Sequence, residues 1–207
     1  MCGRYALFRW NREFAGLPGF PPDQQAQWNI SPAQWVLMLR ADEQGNRSLA
    51  RARWGLTPAW LTDLSRTPAH ARAETLAEQP MFRDAFRQRR CLLPANGFYE
   101  WRGNARKQPF WLTPGEGSSL FFAGLWESYP VQEQNWLSVA VVTQAVLTQR
   151  RPLILDEEGQ RLWLDPQTPE HVLQGLLASR QMQLRERPLA NLINDPTLDG
   201  PECLTPA

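Results

Sequence analysis

Eighteen prolines lie scattered along these 207 residues, and they constrain the fold more than any other feature. Proline cannot donate a ladder hydrogen bond or continue a helix, so the chain reads as short segments with punctuation between them. The runs Gly3–Phe8, Trp35–Arg40, Ser48–Trp54, Gly97–Arg102, Phe110–Thr113, Ser119–Trp126, Leu137–Thr143 and Arg161–Leu164 are apolar or alternating, as strands are. Glycine and polar residues at Asp42–Asn46, Gly103–Lys107 and Pro114–Ser118 supply turn chemistry, so neighbouring strands are expected to be mostly antiparallel. Helical patterns are fewer, at Asn11–Gly16, Met81–Arg89 and Pro169–Ala178. The fold class expected is α+β with sheet dominating, in one domain spanning 1–207.

An apolar fraction of 43% and a charged fraction of 21% are ordinary for a folded protein and exclude disordered and membrane classes. The start of the chain lacks the basic-then-apolar pattern of a secretion signal, no run is long enough to span a bilayer, and a cytoplasmic location is expected. With a net charge of +1, nucleic-acid binding would need local clusters of charge. Those clusters are arginine, since Lys107 is the sole lysine. Arginine suits bidentate phosphate contact, although a codon bias would produce the same composition.

Cys2, Cys91 and Cys203 are odd in number and have no CxxC spacing, so neither a disulfide framework nor a zinc finger is indicated. The two histidines add no ligand spacing, and no metal or cofactor is expected. Cys91 opens an apolar stretch and should be buried. Most of the ten tryptophans read as core. Trp60, in the loop-like Thr57–Pro58–Ala59–Trp60, is the candidate for stacking on a nucleobase.

The reactive candidate is Cys2. In Met1–Cys2–Gly3–Arg4–Tyr5 a small second side chain permits removal of Met1, leaving an α-amine and a thiol on adjacent carbons. Such a 1,2-aminothiol condenses with an aldehyde to a Schiff base and then closes a five-membered thiazolidine, driven by intramolecularity. The ring-opened abasic site in DNA is an aldehyde. Taken alone, a cysteine at position 2 could equally be chance.

Three further stretches bear on it: His70–Ala71–Arg72–Ala73–Glu74–Thr75, Pro80–Met81–Phe82–Arg83–Asp84–Ala85–Phe86 and Arg89–Arg90–Cys91–Leu92–Leu93–Pro94–Ala95–Asn96–Gly97–Phe98–Tyr99–Glu100–Trp101. With Cys2–Gly3–Arg4 they closely resemble the SRAP family, proteins that crosslink to abasic sites in single-stranded DNA, from Cys2 to about Pro152. The resemblance implies mainly antiparallel sheets curved into a pseudo-barrel, with a few short helices. It implies Cys2 as the covalent nucleophile, Glu100 as the acid/base carboxylate, Arg4, Arg72, Arg83 and Arg150 as DNA contacts, and Asn29 with Pro32 as lining of the site. Single-stranded DNA with abasic sites would be the partner of a monomer that joins the nucleoid when bound, in the DNA damage response. Glu100 between Tyr99 and Trp101 is expected to have a raised pKa from apolar surroundings.

The chain departs from the family at two positions. His70 stands where asparagine is usual, and Thr148 replaces a histidine that precedes an Arg–Met–Pro-like tripeptide, here Arg150–Arg151–Pro152. Threonine cannot titrate near neutrality, so His70 either supplies the missing acid/base group or merely replaces the asparagine hydrogen bond. Two other functions therefore stay open. One is a non-covalent module for single strands or lesions with weakened chemistry, and the other a thiol peptidase acting on its own leading residue.

Overall fold

The computed structural model describes residues 3–103, 107–115, 117–131, 133–147 and 149–207. Its elements are β1 (Tyr5–Leu7), α1 (Arg12–Ala15), β2 (Gln27–Ile30), β3 (Trp35–Ala41), β4 (Arg47–Trp54), β5 (His70–Arg72), α2 (Arg83–Gln88), β6 (Arg90–Ala95) and β7 (Gly97–Arg102). They continue with β8 (Gln108–Thr113), β9 (Leu120–Val131), β10 (Gln134–Val146), β11 (Gln149–Pro152), α3 (Glu157–Leu164), α4 (Glu170–Leu177) and β12 (Arg185–Pro188). The expected α+β class and the antiparallel pseudo-barrel are borne out. Strands β10, β4, β3, β6 and β9 pair in that order, and β9 pairs back to β10, which closes the ring. A second sheet runs β12–β8–β7–β1–β2.

The ring strands bury both faces. Met38, Ala52, Trp54, Leu93, Phe122, Val139 and Val141 pack with Tyr5, Ile30, Phe98 and Leu112 of the second sheet. The alternate residues Leu39, Leu92, Ala123, Leu125, Ala140 and Val142 pack with Phe86 of α2, Trp163 of α3 and Leu173 and Leu177 of α4. Burial on both faces is why β6 and most of β10 read as continuous apolar runs rather than alternating ones. The outer face of the second sheet, with Ala6, Tyr99 and Trp111, is covered by Leu189, Ile193 and Cys203 from the end of the chain.

Three expectations need correction. Arg161–Leu164 is the last turn of α3, where Asp156 accepts from the Gly159 amide at 2.8 Å and Glu157 and Glu158 complement the helix dipole, against a fully buried Trp163. Pro114–Ser118 is not a hairpin, because it carries the chain from β8 in one sheet to β9 in the other. Within the expected antiparallel majority, β10 lies parallel to both β4 and β5. Finally, the prolines do not only separate segments: Pro94, Pro109, Pro130, Pro152 and Pro188 lie inside strands, each the last residue or one removed from an end, where a missing donor costs least.

Arg89 and Arg90 are both engaged at the end of α2. Arg89 pairs with Glu127 at 2.8 Å, and the buried Arg90 guanidinium donates to the carbonyls of Phe86, Arg87, Trp163 and Asp165 at 2.7–2.8 Å. It therefore caps the C-terminal ends of α2 and α3 together, satisfying carbonyls that the helices leave orphaned.

Candidate nucleic-acid interface and reactive site

The N-terminal strand is aligned by β7. Tyr5 faces Phe98 and Ala6 faces Gly97 across an antiparallel ladder, and the Tyr99 amide donates to the Arg4 carbonyl at 3.0 Å. Upstream of Tyr5, then, the described chain runs alongside β7 toward the end that carries Glu100. Cys2 and Thr148 lie outside the described residues. Two residues before Phe98 lock the ladder. A side chain at Gly97 would meet the Trp111 ring at 2.4 Å and the Leu112 carbonyl at 2.5 Å, so only glycine fits. Buried Asn96 accepts from the amides of Phe8 and Arg9 at 2.8 and 2.9 Å and donates to the Arg9 carbonyl at 2.9 Å, holding the exit of β1.

Glu100 is only 6% exposed. It shares a strand face with Arg102, two residues on, and receives hydrogen bonds from Arg102 Nε, from Arg151 Nε at 2.8 Å and from Arg151 Nη2 at 3.2 Å. Glu186 of β12 closes the group, taking two bonds from Arg102 at 2.7 and 2.9 Å and one from Arg151 at 3.1 Å. The two carboxylates and two guanidiniums line a cleft of about 750 Å³ with Trp101, Lys107, Leu147 and Gln149.

The raised pKa expected for Glu100 is not found. Burial does push it up and is the largest single influence, but the Arg151 and Arg102 hydrogen bonds and charges together outweigh it and hold the carboxyl below its ordinary value. The surroundings are charged rather than apolar, because the Arg102 and Arg151 guanidiniums lie against the carboxylate while Tyr99 packs on the other face with Ala6 and Trp111. At neutral pH Glu100 therefore carries a negative charge.

The other candidates fall into two groups. Arg4, Asn29 and Arg150 are half-buried or buried and engaged: Arg4 Nη1 donates to the Ile193 carbonyl and lies over the Trp101 ring at 5.3 Å. Asn29 donates to the carbonyls of Asp195 and Leu198 at 3.2 and 2.8 Å, and Arg150 holds Glu74 at 2.7 Å and the Thr143 carbonyl at 2.7 Å. Pro32, Trp60, Arg72 and Arg83 are exposed. Pro32 precedes Ala33, whose left-handed backbone (φ 73°) is held by its amide donating to the Trp54 carbonyl at 2.7 Å. Arg83 touches Asp84 at 3.1 Å, and Trp60 borders a surface pocket with Asp63, Arg66 and Phe82. His70, on β5, faces Val141 of β10 and packs its ring edge-on against Trp54 at 5.6 Å.

Sequence reading missed Arg102, Arg151, Glu186 and Asn96. Arg102 was detectable from the period of two along β7, and Arg151 stands in the tripeptide already singled out, but nothing local marks Glu186, which sequence distance hides. The described thiols are not competitors for Cys2: Cys91 and Cys203 are buried, and burial pushes both thiol pKa values up.

The chain as a whole matches one family. Residues 1–196 match the SOS response associated peptidase (SRAP) family, and the chain belongs to it. Among its relatives, the abasic site processing protein YoqW of Bacillus subtilis is 33% identical, with 99% of each chain covered. The abasic site processing protein YedK of Escherichia coli is 27% identical over 79% of each chain. A crystal structure of a protein from Bacteroides thetaiotaomicron superposes with a TM-score of 0.85 over the whole of both chains at 19% identity, which speaks to the fold alone.

Proposed function

We propose that this protein processes abasic sites in single-stranded DNA by capturing the ring-opened sugar on Cys2 once Met1 is removed. The observation that carries the reading is the β1–β7 ladder, which runs the described N-terminal residues along the strand bearing Glu100. The names of relatives such as YoqW and YedK support it.

In the reaction, the Cys2 amine nitrogen attacks the aldehyde carbon, and the carbinolamine loses one water to give an imine. The thiol sulfur then adds to the imine carbon and its proton passes to the nitrogen, closing the thiazolidine. The net change is the loss of one water. Glu100 stabilises the cationic iminium and relays the proton released by the sulfur. Arg102 and Arg151 keep that carboxylate ionised and oriented, while Pro32, Trp60, Arg72 and Arg83 offer the strand apolar, stacking and phosphate contacts. The function stands in DNA damage repair.

Cys2→Ser tests the order of bond formation, because it keeps the amine and loses the thiol. A serine adduct that survives denaturation only after borohydride reduction is expected, whereas the parent adduct survives without it. An unreduced serine adduct as stable as the parent's would contradict thiazolidine closure. His70 is assigned the proton transfer that Thr148 cannot perform. His70→Asn should slow capture and flatten its dependence on pH; a parent-like profile would leave His70 as a hydrogen-bonding replacement for asparagine. Salt-sensitive binding with no stable adduct would instead favour the non-covalent module.

A further inference from the structure

Trp35 and Trp136 are each 45% exposed, yet they touch one another, with ring centroids 5.6 Å apart and planes inclined by 54°. Neither belongs to the buried clusters, and a surface pair of indoles gains little from folding. The register explains how they meet. Trp35 of β3 lies opposite Arg53 of β4, Arg53 lies opposite Ser138 of β10, and Trp136 precedes Ser138 by two residues on the same strand face. Arg53 thus lies on β4, the strand between those that carry the two tryptophans, and no hydrogen bond or ion pair engages it among the described residues. Its neighbour Arg51, by contrast, is neutralised by Asp23 at 2.9 Å.

This patch is continuous with the segments that carry Pro32 and Trp60. The Trp54 amide donates to the Gln34 carbonyl at 2.9 Å, the Ala33 amide returns a bond to the Trp54 carbonyl at 2.7 Å, and the Thr57 amide donates to Ser138 Oγ at 2.8 Å. One backbone framework therefore joins the Pro32 turn, the start of the Trp60 loop and the strand bearing Trp136. We propose that Trp35 and Trp136, with Arg53 on the strand between them, form a stacking platform for bases of single-stranded DNA outside the lesion pocket, Arg53 contacting the accompanying phosphate. The placement rests on the function proposed above. Indole faces stack on any base, so the platform would add affinity without sequence preference. A free guanidinium beside them supplies the charge complementarity that a purely apolar protein-docking patch would lack.

The test is equilibrium binding of lesion-free oligothymidylates of about 5 and about 15 nucleotides, followed by tryptophan fluorescence, for the parent and for Trp35→Ala/Trp136→Ala. Stacking at ~1–3 kcal/mol per base predicts that the long oligomer binds the parent more tightly and that the double variant loses roughly 5- to 150-fold of that affinity. Arg53→Gln should lower the salt dependence of binding by about one phosphate contact. Equal affinity of parent and double variant for the long oligomer would overturn the platform. So would a parent dimer that the double variant dissociates while DNA binding stays unchanged, because the patch would then be a subunit contact. Lesion-free binding needs no adduct, so a failure of covalent capture with the length effect intact would count against Cys2 chemistry and leave the platform standing.

Discussion

At the scale of single residues, the charge state of Glu100 carries the proposed chemistry. Two guanidiniums hold its carboxyl below the ordinary range against the opposing effect of burial, so the folded state binds fewer protons there than the unfolded chain. The stability this confers is complete above the unfolded value of about 4.3 and is lost as pH falls through the lowered folded value. Glu100→Gln should therefore lower stability by about 1–3 kcal/mol near neutral pH, with the gap in urea midpoints closing below about pH 4. A gap that persists unchanged in acid would mean that the charge is not what stabilises the strand end. The same variant should slow capture of the aldehyde, since glutamine offers the iminium no negative charge. Cys2, Glu100 and His70 were named as candidates from the residues and the resemblance, and the buried setting of Glu100 is the part the structure describes. The direction of the Glu100 pKa was not legible in the sequence, because one of the two guanidiniums that set it, Arg151, comes from β11, far along the chain from β7.

Among the elements, the coupling of helices to the ring depends on Arg90. Its guanidinium terminates α2 and α3 at once, which ties the helical layer to the first residue of β6. Arg90→Ala would leave buried carbonyls without donors and a cavity behind them, and a loss of at least about 3 kcal/mol is expected in denaturant unfolding. A loss under about 1 kcal/mol would show that solvent or neighbouring amides replace it. Asn11–Gly16, Met81–Arg89 and Pro169–Ala178 were readable as helices because each has a periodic apolar face or a capping side chain, as with Asn11 accepting from the Phe14 amide. Strands β2, β5, β11 and β12 were not, being three or four residues long and without a full alternation. Arg161–Leu164 misled because a four-residue window holds Leu162, Trp163 and Leu164 but omits the Asp156 cap.

Over the whole molecule, distant stretches of chain meet at the second sheet. Residues 189–206 close its outer face, Asn29 and Arg4 hold carbonyls of that segment, and Tyr99 donates to the Trp28 carbonyl, so both ends of the chain frame the strand that presents Glu100. Local periodicity could announce the strands but not this arrangement, which depends on contacts more than 150 residues apart in sequence. The frame fixes the described N-terminal strand against β7 and sets the Glu100 carboxylate in a cleft with Arg102, Arg151 and Glu186. The most direct test is a denaturing gel of protein whose mass shows Cys2 at the N-terminus, incubated with a single-stranded oligonucleotide bearing one abasic site, beside Cys2→Ala. A heat-stable shifted band in the parent and none in the variant is predicted. No band from the processed parent, or an equal band from Cys2→Ala, would contradict capture through the N-terminal cysteine.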